Sequence, residues 1–466
     1  MADVVILGAG LVGLGTAMLL ARDGHQVTVL ERDAAPPPVD ADVAWSDWDR
    51  RGVNHFRMPH FLLPRWRHLM ERELPDVLAT LREEGALVYN PLSSMRAKHT
   101  GGWVDGDERF ESVTARRPML ESVLARAAAA EPGVLVCRDV TVRALPTLVQ
   151  GSEAPRVLGV LVDPAELITC DLVVDATGRR SRVPALVTDT RQPPVDHREE
   201  AGFVYLSRHF RATGTSGIPE PAASLVQNYR DLTILTLPSD HDTWSVSMVI
   251  STHDRDLLGL RELAAWSMAL GLFPAAAHWA DGVPISEVNV MAGIEDRIRY
   301  YVPDGQASMT GLLAVGDAWA CTNPSLGHGT SLGFEHACAL RDLLHATPED
   351  PEQLALEWDR RTRTYLEPTY RWTVNYDRHR LREIEAHRKG LAYETDDPMW
   401  ADNKALTAAA STNPHALRGL LDLTSLLASQ DEVLGRPKIA GQLDRNALPH
   451  PLPGPERSEL LAAAGV

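Results

Sequence analysis

The chain has few cysteines, fewer cations than anions, no apolar run of membrane-spanning length and no internal repeat. Each shortage removes a class. The four cysteines among 466 residues, Cys137, Cys170, Cys321 and Cys338, are scattered and form no C-x-x-C pair, so neither a disulfide framework nor a zinc site is indicated. Lys plus Arg total 46 against 63 for Asp plus Glu, a formal charge of -17, which argues against nucleic acid or an anionic membrane as a main partner. The patterned sequence starts almost at Met1, without a basic lead or cleavage site, so a soluble, cytoplasmic protein with no membrane span is expected. The length is too great for one compact core and implies two or three domains.

What is present begins with Val4-Val5-Ile6-Leu7-Gly8-Ala9-Gly10-Leu11-Val12-Gly13, with Glu31 and Arg32 closing a second apolar run, Val27 to Leu30. A strand, G-x-G-x-x-G, a helix and an acidic residue at the end of the next strand form a dinucleotide-binding fingerprint in full context. Gly8 permits the tight turn, Gly10 lets the backbone approach a pyrophosphate, and Gly13 lets helix and strand pack closely. Glu31 accepts from a ribose and repels a 2'-phosphate there, so FAD or NAD is expected rather than NADP.

Asp33-Ala34-Ala35-Pro36-Pro37-Pro38 ends this unit. Residues 61–81 read as helix divided by Pro64 and Pro75, and a clearer helix starts near Pro118 and stops at Pro132-Gly133. Short strands follow at 134–136, 140–142 and 171–175. From Gly202 to Ser251, Phe203, Tyr205, Trp244, Val246, Met248 and Ile250 alternate with polar residues, predicting a half-exposed antiparallel sheet in which 232–237 and 244–250 form a hairpin beside a pocket. Beyond Pro351 the pattern is helical, with Leu354, Trp358, Tyr365, Trp372 and Tyr376 read as one core-facing stripe and Pro368 as a kink. The tail from Arg436, with Pro437, Pro449, Pro451, Pro453 and Pro455, reads as a surface strap without regular structure.

Two further glycine-bearing stretches follow apolar strands, where open α/β sheets bind ligands. One is Asp175-Ala176-Thr177-Gly178-Arg179-Arg180-Ser181-Arg182. The other is Gly316-Asp317-Ala318-Trp319-Ala320-Cys321-Thr322-Asn323-Pro324-Ser325-Leu326-Gly327-His328-Gly329. Asp317 can accept from a ribityl hydroxyl, and amides around Gly327 to Thr330 can stabilise negative charge on a reduced flavin.

With these three motifs the chain resembles the para-hydroxybenzoate hydroxylase-like FAD-dependent monooxygenases, whose relatives include flavin halogenases and geranylgeranyl-type reductases. Arg117-Pro118-Met119-Leu120 is similar to that family's R-x-x-L, and the resemblance covers residues 3 to 345. It implies an α/β fold: a Rossmann-like, glutathione reductase-type FAD-binding domain (1–60, 105–190 and 295–345), an antiparallel-sheet substrate domain (61–104 and 191–294) and a C-terminal helical region (346–466). It implies an FAD set of Gly8, Gly10, Leu11, Val12, Gly13, Glu31, Arg32, Arg117, Val140, Thr177, Gly178, Gly316, Asp317, Pro324, Gly327, Gly329 and Thr330, with Val140 at the adenine. Two positions depart from the pattern. Trp319-Ala320 stands where many hydroxylases have Ala-His, and Thr177-Gly178 replaces Asp-Gly, which brings reductase or two-component relatives closer.

Trp45-Ser46-Asp47-Trp48 has the wrong spacing for a halogenase motif. Gly329-Thr330-Ser331-Leu332-Gly333 matches G-x-S-x-G but lacks the strand that must run straight into a nucleophile elbow. The reading is therefore an FAD-dependent monooxygenase that inserts one oxygen atom from O2 into an electron-rich aromatic or alkene small molecule through a C4a-hydroperoxyflavin; the alternative is a flavin-dependent reductase or dehydrogenase. NADPH or NADH supplies electrons, directly or through a partner flavin reductase. His55, Arg57 and His60 are the candidate catalytic side chains, and Tyr205, Trp244, Trp319 and Asn323 the candidate pocket. No metal is expected, since His55 and His60 lack a third ligand.

Overall fold

Five short apolar strands make the parallel sheet that starts the structure, a computed structural model describing residues 1–346, 350–446, 449 and 452–466. The strands that carry the argument are, in chain order, β1 (Asp3–Leu7), β2 (Gln26–Glu31), β3 (Val134–Arg138), β4 (Leu172–Asp175), β5 (Phe203–Arg211), β6 (Thr233–Pro238), β7 (Thr243–Ser251) and β8 (Leu312–Ala314). The helices are α1 (Leu11–Arg22), α2 (Pro64–Glu73), α3 (Pro75–Glu83), α4 (Arg117–Ala130), α5 (Leu263–Gly271), α6 (Gly329–Ala346), α7 (Pro351–Arg361), α8 (Glu367–Arg388), α9 (Pro398–Ala410), α10 (Pro414–Thr424) and α11 (Arg457–Ala464).

The parallel sheet runs β8-β4-β1-β2-β3. Its strands are rich in Val, Leu and Ile because helices cover it, as parallel sheets require. The loops after β1, β4 and β8 open at the same carboxyl edge, and this topology gathers the three glycine-bearing motifs from across 330 residues of chain.

The second sheet is antiparallel, in the order Val226–Asn228, β6, β7, β5, Val283–Pro284, and the β6–β7 hairpin forms as expected. It is buried on both faces, not half exposed. Trp244, Val246, Met248 and Ile250 pack with Trp266, Phe273 and Trp279 on one side, while Tyr205, Leu235 and Val249 pack with Met58 and Ile384 on the other. The serines that mimicked a solvent face are satisfied inside: the Ser207 and Ser247 hydroxyls bond each other at 2.7 Å.

Domain bounds also shift. Trp66, Leu69, Leu74, Leu78 and Leu81, on or beside α2 and α3, share the core of α1 and the parallel sheet, so 64–83 belongs to the nucleotide half rather than the substrate sheet. The C-terminal stretch is not a separate region. Ile384 of α8 packs on the antiparallel sheet, Ala410 and Leu417 pack on Phe110, and Leu460 and Ala463 of α11 join the Trp266 core.

Proline explains much of this region. Pro351, Pro398 and Pro414 each stand at a helix start behind Asp350, Asp397 and Asn413, whose side chains cap the next amides; proline's missing N–H costs nothing there. For the same reason the proline-rich tail is not a bare strap: Pro437 opens a short helix to Ala440, and α11 follows. Pro451 of that tail lies outside the described residues. A π-turn at Thr362–Leu366 precedes Pro368. Its extra residue moves the buried position from Tyr365, 68% exposed, to Leu366, which breaks the expected aromatic stripe. The short strand expected at 140–142 runs at Val142–Ala144 instead. No helix among the described residues is long and apolar enough to cross a membrane.

Candidate active site

At the end of β1 the chain turns at Gly8, where φ is +102° and a Cβ would sit 2.8 Å from the Ala176 carbonyl oxygen. A Cβ on Gly13 would lie 2.1 Å from the Gly8 oxygen. Both glycines are demanded by the fold itself. Gly10 is different: its backbone is ordinary and extended (φ -85°, ψ 179°), and nothing lies within 4 Å of where its Cβ would be. The space is an empty cradle at the N-terminus of α1, whose amides receive no side-chain cap, as an anion site requires. Leu11 and Val12 line it too.

Glu31, 5% exposed, accepts from the Ala9 amide at 2.9 Å and from Arg50 at 2.8 Å. Arg50 is a buried cation that also pairs with Asp33 at 3.1 Å and Glu121 at 2.8 Å. Its three partners are distant in sequence, so no local spacing marks it. The Val140 amide donates to the Glu31 carbonyl at 3.0 Å, and Arg32, Val140 and Arg143 line the same end of the cavity.

Further in, Asp175 is fully buried and accepts from the Thr177 amide (3.0 Å), the Thr177 hydroxyl (2.6 Å) and Ser181, which shapes the turn at Gly178 (φ +79°). Arg179 and Arg180 reach the cavity wall, and Asn54, with its amide oxygen turned inward, accepts from Arg180 at 2.7 Å. Gly316 turns with φ +56°, and its amide donates to His336 Nδ1 at 2.9 Å. The Asp317 carboxyl has no hydrogen-bond partner among the described residues, and burial raises its pKa. Pro324, Gly327, Gly329 and Thr330 complete this edge.

Arg117 lies between His55 and His60, which stack at 5.6 Å. Its guanidinium donates to His55 Nε2, sits 3.4 Å from His60 Nε2, and pairs with Glu121 at 2.6 Å. His60 Nδ1 is 2.8 Å from the Met58 carbonyl, so this nitrogen carries the proton and Nε2 is free to accept. Burial, then Arg117, pushes His60 down to about 3 and His55 well below its ordinary value. Both are neutral imidazoles that hold Arg117, not bases poised near neutrality.

Arg57 is not at the site. It donates to the carbonyls of Trp45 (2.6 Å), Ser46 (3.2 Å) and Trp48 (3.0 Å), tying a loop. Trp244 is not there either: strand alternation turns it to the opposite face, where its N–H donates to the Trp279 carbonyl at 2.7 Å. Tyr205 and Trp319 line the cavity. Asn323 stands behind Tyr205, accepting its hydroxyl at 2.8 Å. Where the expected Ala-His is absent, His336 from α6 packs edge-on against Trp319 at 4.8 Å. Ser331 is 1% exposed, and a Cβ on Gly333 would meet Val12 at 2.3 Å, so G-x-S-x-G here is helix packing rather than a nucleophile elbow.

The Gly10 cradle, Glu31, Arg117, Asp317, Tyr205 and Trp319 all line one cavity of about 1760 Å³. Its far wall comes from α8, α9 and α10: Tyr370, Trp372, Tyr376, Thr407, Leu417 and Leu420, so Trp372 and Tyr376, expected to face the core, line the cavity. Among the described residues no cluster of His, Cys, Asp or Glu could hold a metal ion.

Residues 3–349 match the family described as FAD dependent oxidoreductase. The chain belongs to the FAD-dependent oxidoreductase family. This flavoprotein is 26% identical over 467 residues to protein Rv3254 of Mycobacterium tuberculosis, covering 95% of this chain and 93% of that one. It is 26% identical over 381 residues to a kynurenine 3-monooxygenase of Salinispora arenicola, covering 76% and 74%. The structure of pqsL, a probable FAD-dependent monooxygenase from Pseudomonas aeruginosa, shares the fold: TM-score 0.57, 18% identity, 83% of this chain and 98% of that one. The flavoprotein is thus an FAD-dependent oxidoreductase with monooxygenase relatives and neighbours. Relatives of this kind take a small molecule and O2.

Proposed function

We propose that this FAD-dependent oxidoreductase is a monooxygenase that inserts one atom of O2 into an electron-rich aromatic ring or alkene. The observation that carries the reading is the continuity of the nucleotide groove with a deep, mostly apolar chamber: a single cavity runs from Gly10 and Glu31 past Arg117 and Asp317 to α10. Ligand sites are commonly about 300–1,000 Å³, so 1760 Å³ has room for a dinucleotide and a second molecule. The residues fit FAD. The amides of Leu11 and Val12 at the Gly10 cradle take the pyrophosphate, and Glu31 the ribose, with Arg32 and Val140 at the adenosine end. Asp317, unpartnered, takes a ribityl hydroxyl. Thr177, Gly178, Gly316, Pro324, Gly327, Gly329 and Thr330 border the ring end.

Bound FAD supplies the electrons that activate O2. The chain's own residues do the rest. Arg117, held by two neutral imidazoles and Glu121, fixes a positive charge beside the reacting region, where negative charge that develops on a substrate oxygen is stabilised in a low dielectric. Apolar walls exclude water. NADPH or NADH provides the electrons, directly or through a flavin reductase, and the four free cysteines suit a reducing cytoplasm.

The test supplies the FAD-loaded, reduced protein with 18O2 and candidate substrates, and measures NADPH and NADH oxidation with and without an added flavin reductase. One labelled oxygen in the product and one in water are expected. Hydrogen peroxide released with an unlabelled, desaturated product would instead establish a dehydrogenase, and an unlabelled, saturated product formed without consumption of O2 a reductase.

A further inference from the structure

Beyond the ring end, most of the polar atoms on the chamber wall are turned onto the protein, the exceptions among the described residues being neutral donors: the Tyr370, Tyr376 and Ser425 hydroxyls and the Asn403 amide. Trp372 donates its N–H to Gln430 Oε1 at 2.9 Å. The Tyr376 hydroxyl accepts from Asn228 at 3.0 Å, and the Tyr205 hydroxyl donates to Asn323 at 2.8 Å. These three residues therefore offer ring surface to the interior. The hydroxyls of the helical wall behave alike. Thr407 bonds the Asn403 carbonyl at 2.8 Å, Ser411 the Ala408 carbonyl at 2.7 Å and Thr424 the Leu420 carbonyl at 2.9 Å. On the sheet side, Ser247 is spent on Ser207.

Charge is distributed to match. The ionisable groups inside the cavity gather at the nucleotide end, where Arg117, Arg179, Arg180 and Asp317 stand. Away from that end, and apart from the neutral tyrosine hydroxyls, the charged or titratable lining groups are Arg96, His99 and Glu220, all solvent-exposed and so at the rim. A carboxylate or ammonium lying against Tyr376, Leu417 and Leu420 would give up its water and meet no opposite charge, and a buried charge without one is strongly disfavoured. Aromatic and leucine surfaces instead favour apolar contact and ring stacking.

We propose that the chamber takes an uncharged, largely apolar molecule more than one ring in extent, held by ring faces and methyl groups rather than by ion pairs, with its oxidisable end toward Arg117. This rests on the reading of the cavity as an FAD groove joined to a substrate chamber, and it names the class of that substrate. Chain length 350–466, outside the stretch matched to the family, supplies the wall that selects it.

The test is equilibrium binding to the oxidised FAD-loaded protein, followed by perturbation of the flavin absorbance, without reductant. The probes are phenol, 2-naphthol, 2-hydroxyanthracene, 4-hydroxybenzoate and a hydroxyanthracene carboxylate. Affinity is expected to rise at least tenfold from phenol to the three-ring phenol and to fall at least tenfold when the carboxylate is added. Leu420→Arg, which puts a cation on the α10 wall, is expected to reverse that second preference, whereas Thr407→Val is expected to leave the uncharged series within twofold. Should Leu420→Arg fail to fold, the probe series on the unaltered protein decides alone. Tighter binding of the carboxylates, or affinity indifferent to ring number, overturns the proposal. Binding is read without turnover, so this series can hold while 18O incorporation fails, or the reverse.

Discussion

Gly10→Ser separates what the fold needs from what the cofactor needs. The backbone at Gly10 is extended and any residue adopts it, and its Cβ would enter empty space. Serine at a helix N-cap accepts from the second or third amide, here Val12 or Gly13, while its Cβ and hydroxyl fill the open cradle, so the Leu11 and Val12 amides are both lost to the pyrophosphate. Two charge-assisted hydrogen bonds at about 1.5–3 kcal/mol each amount to about 3–6 kcal/mol, or roughly 10²- to 10⁴-fold in Kd at about 1.4 kcal/mol per tenfold. With FAD at about 100 times its Kd, binding adds about 2.7 kcal/mol of stability; a hundredfold weaker Kd leaves about 0.4 kcal/mol. An unfolding entropy of about 2.1 cal/mol/K per residue gives about 1 kcal/mol/K for a chain of 466, so each kcal/mol moves Tm by about 1 °C. Differential scanning fluorimetry on the apoprotein, then with FAD added, is expected to show an unchanged apo Tm and the loss of most of a shift of about 3 °C. Gly13→Ala, whose Cβ would meet the Gly8 oxygen at 2.1 Å, is expected to lower the apo Tm itself. An apo Gly10→Ser protein that unfolds, or that keeps the full FAD shift, refutes the reasoning.

Other outcomes follow from the same geometry. Burial holds the Asp377 carboxyl well above its ordinary range, faced by Ser325, Asn323 and Asp296 rather than by a cation; the folded protein keeps a proton that the unfolded chain releases above about pH 4. Stability tied to Asp377 is therefore full below that pH and lost as pH rises toward the raised folded value, so Asp377→Asn is expected to flatten the decline of Tm between pH 4 and 8, and parallel curves would contradict it. Asp296, itself pushed up to about 6 by burial, contributes a similar slope to both proteins. Arg57→Ala is expected to cost about 1.5–3 kcal/mol in chemical denaturation by freeing the 45–48 loop carbonyls, with kcat and KM within twofold; a selective loss of kcat would restore Arg57 to the chemistry. Trp244→Phe is expected to lower stability by about 1–3 kcal/mol by stranding the Trp279 carbonyl, while probe affinities measured by titration stay as they were; a tenfold loss of affinity would place Trp244 at the ligand.

The nucleotide half was legible because its signals are local. A β-branched strand, three glycines and an acidic residue at the next strand's end each carry their reason within a few positions, and Gly8 and Gly13 prove to be demanded by backbone contacts. Arg50 was not legible, since its partners Glu31 and Asp33, at the exit of β2, and Glu121, on α4, are brought to it only by the fold. Trp244 is not legible for a different reason: period-2 alternation says that two faces exist but not which one meets the ligand, and here it is the face that carries Ser247. The helical wall was half visible. Asp350-Pro351, Asp397-Pro398 and Asn413-Pro414 announce three helix starts, but what those helices face depends on tertiary packing, and the π-turn at 362–366 defeats any count of helical period across it.

The division of labour along the chain has a practical side. The family match ends at residue 349, and the helical wall of the chamber is built after it, with the Ser325–Asp377 and His328–Thr373 bonds at 2.6 and 2.9 Å among those that tie it back. A redesigner could therefore recast the chamber faces of α8, α9 and α10 for other guests, provided the groups that root those helices in the rest of the molecule, such as Arg418 on Asp107 and Asp422 on Arg109, are kept.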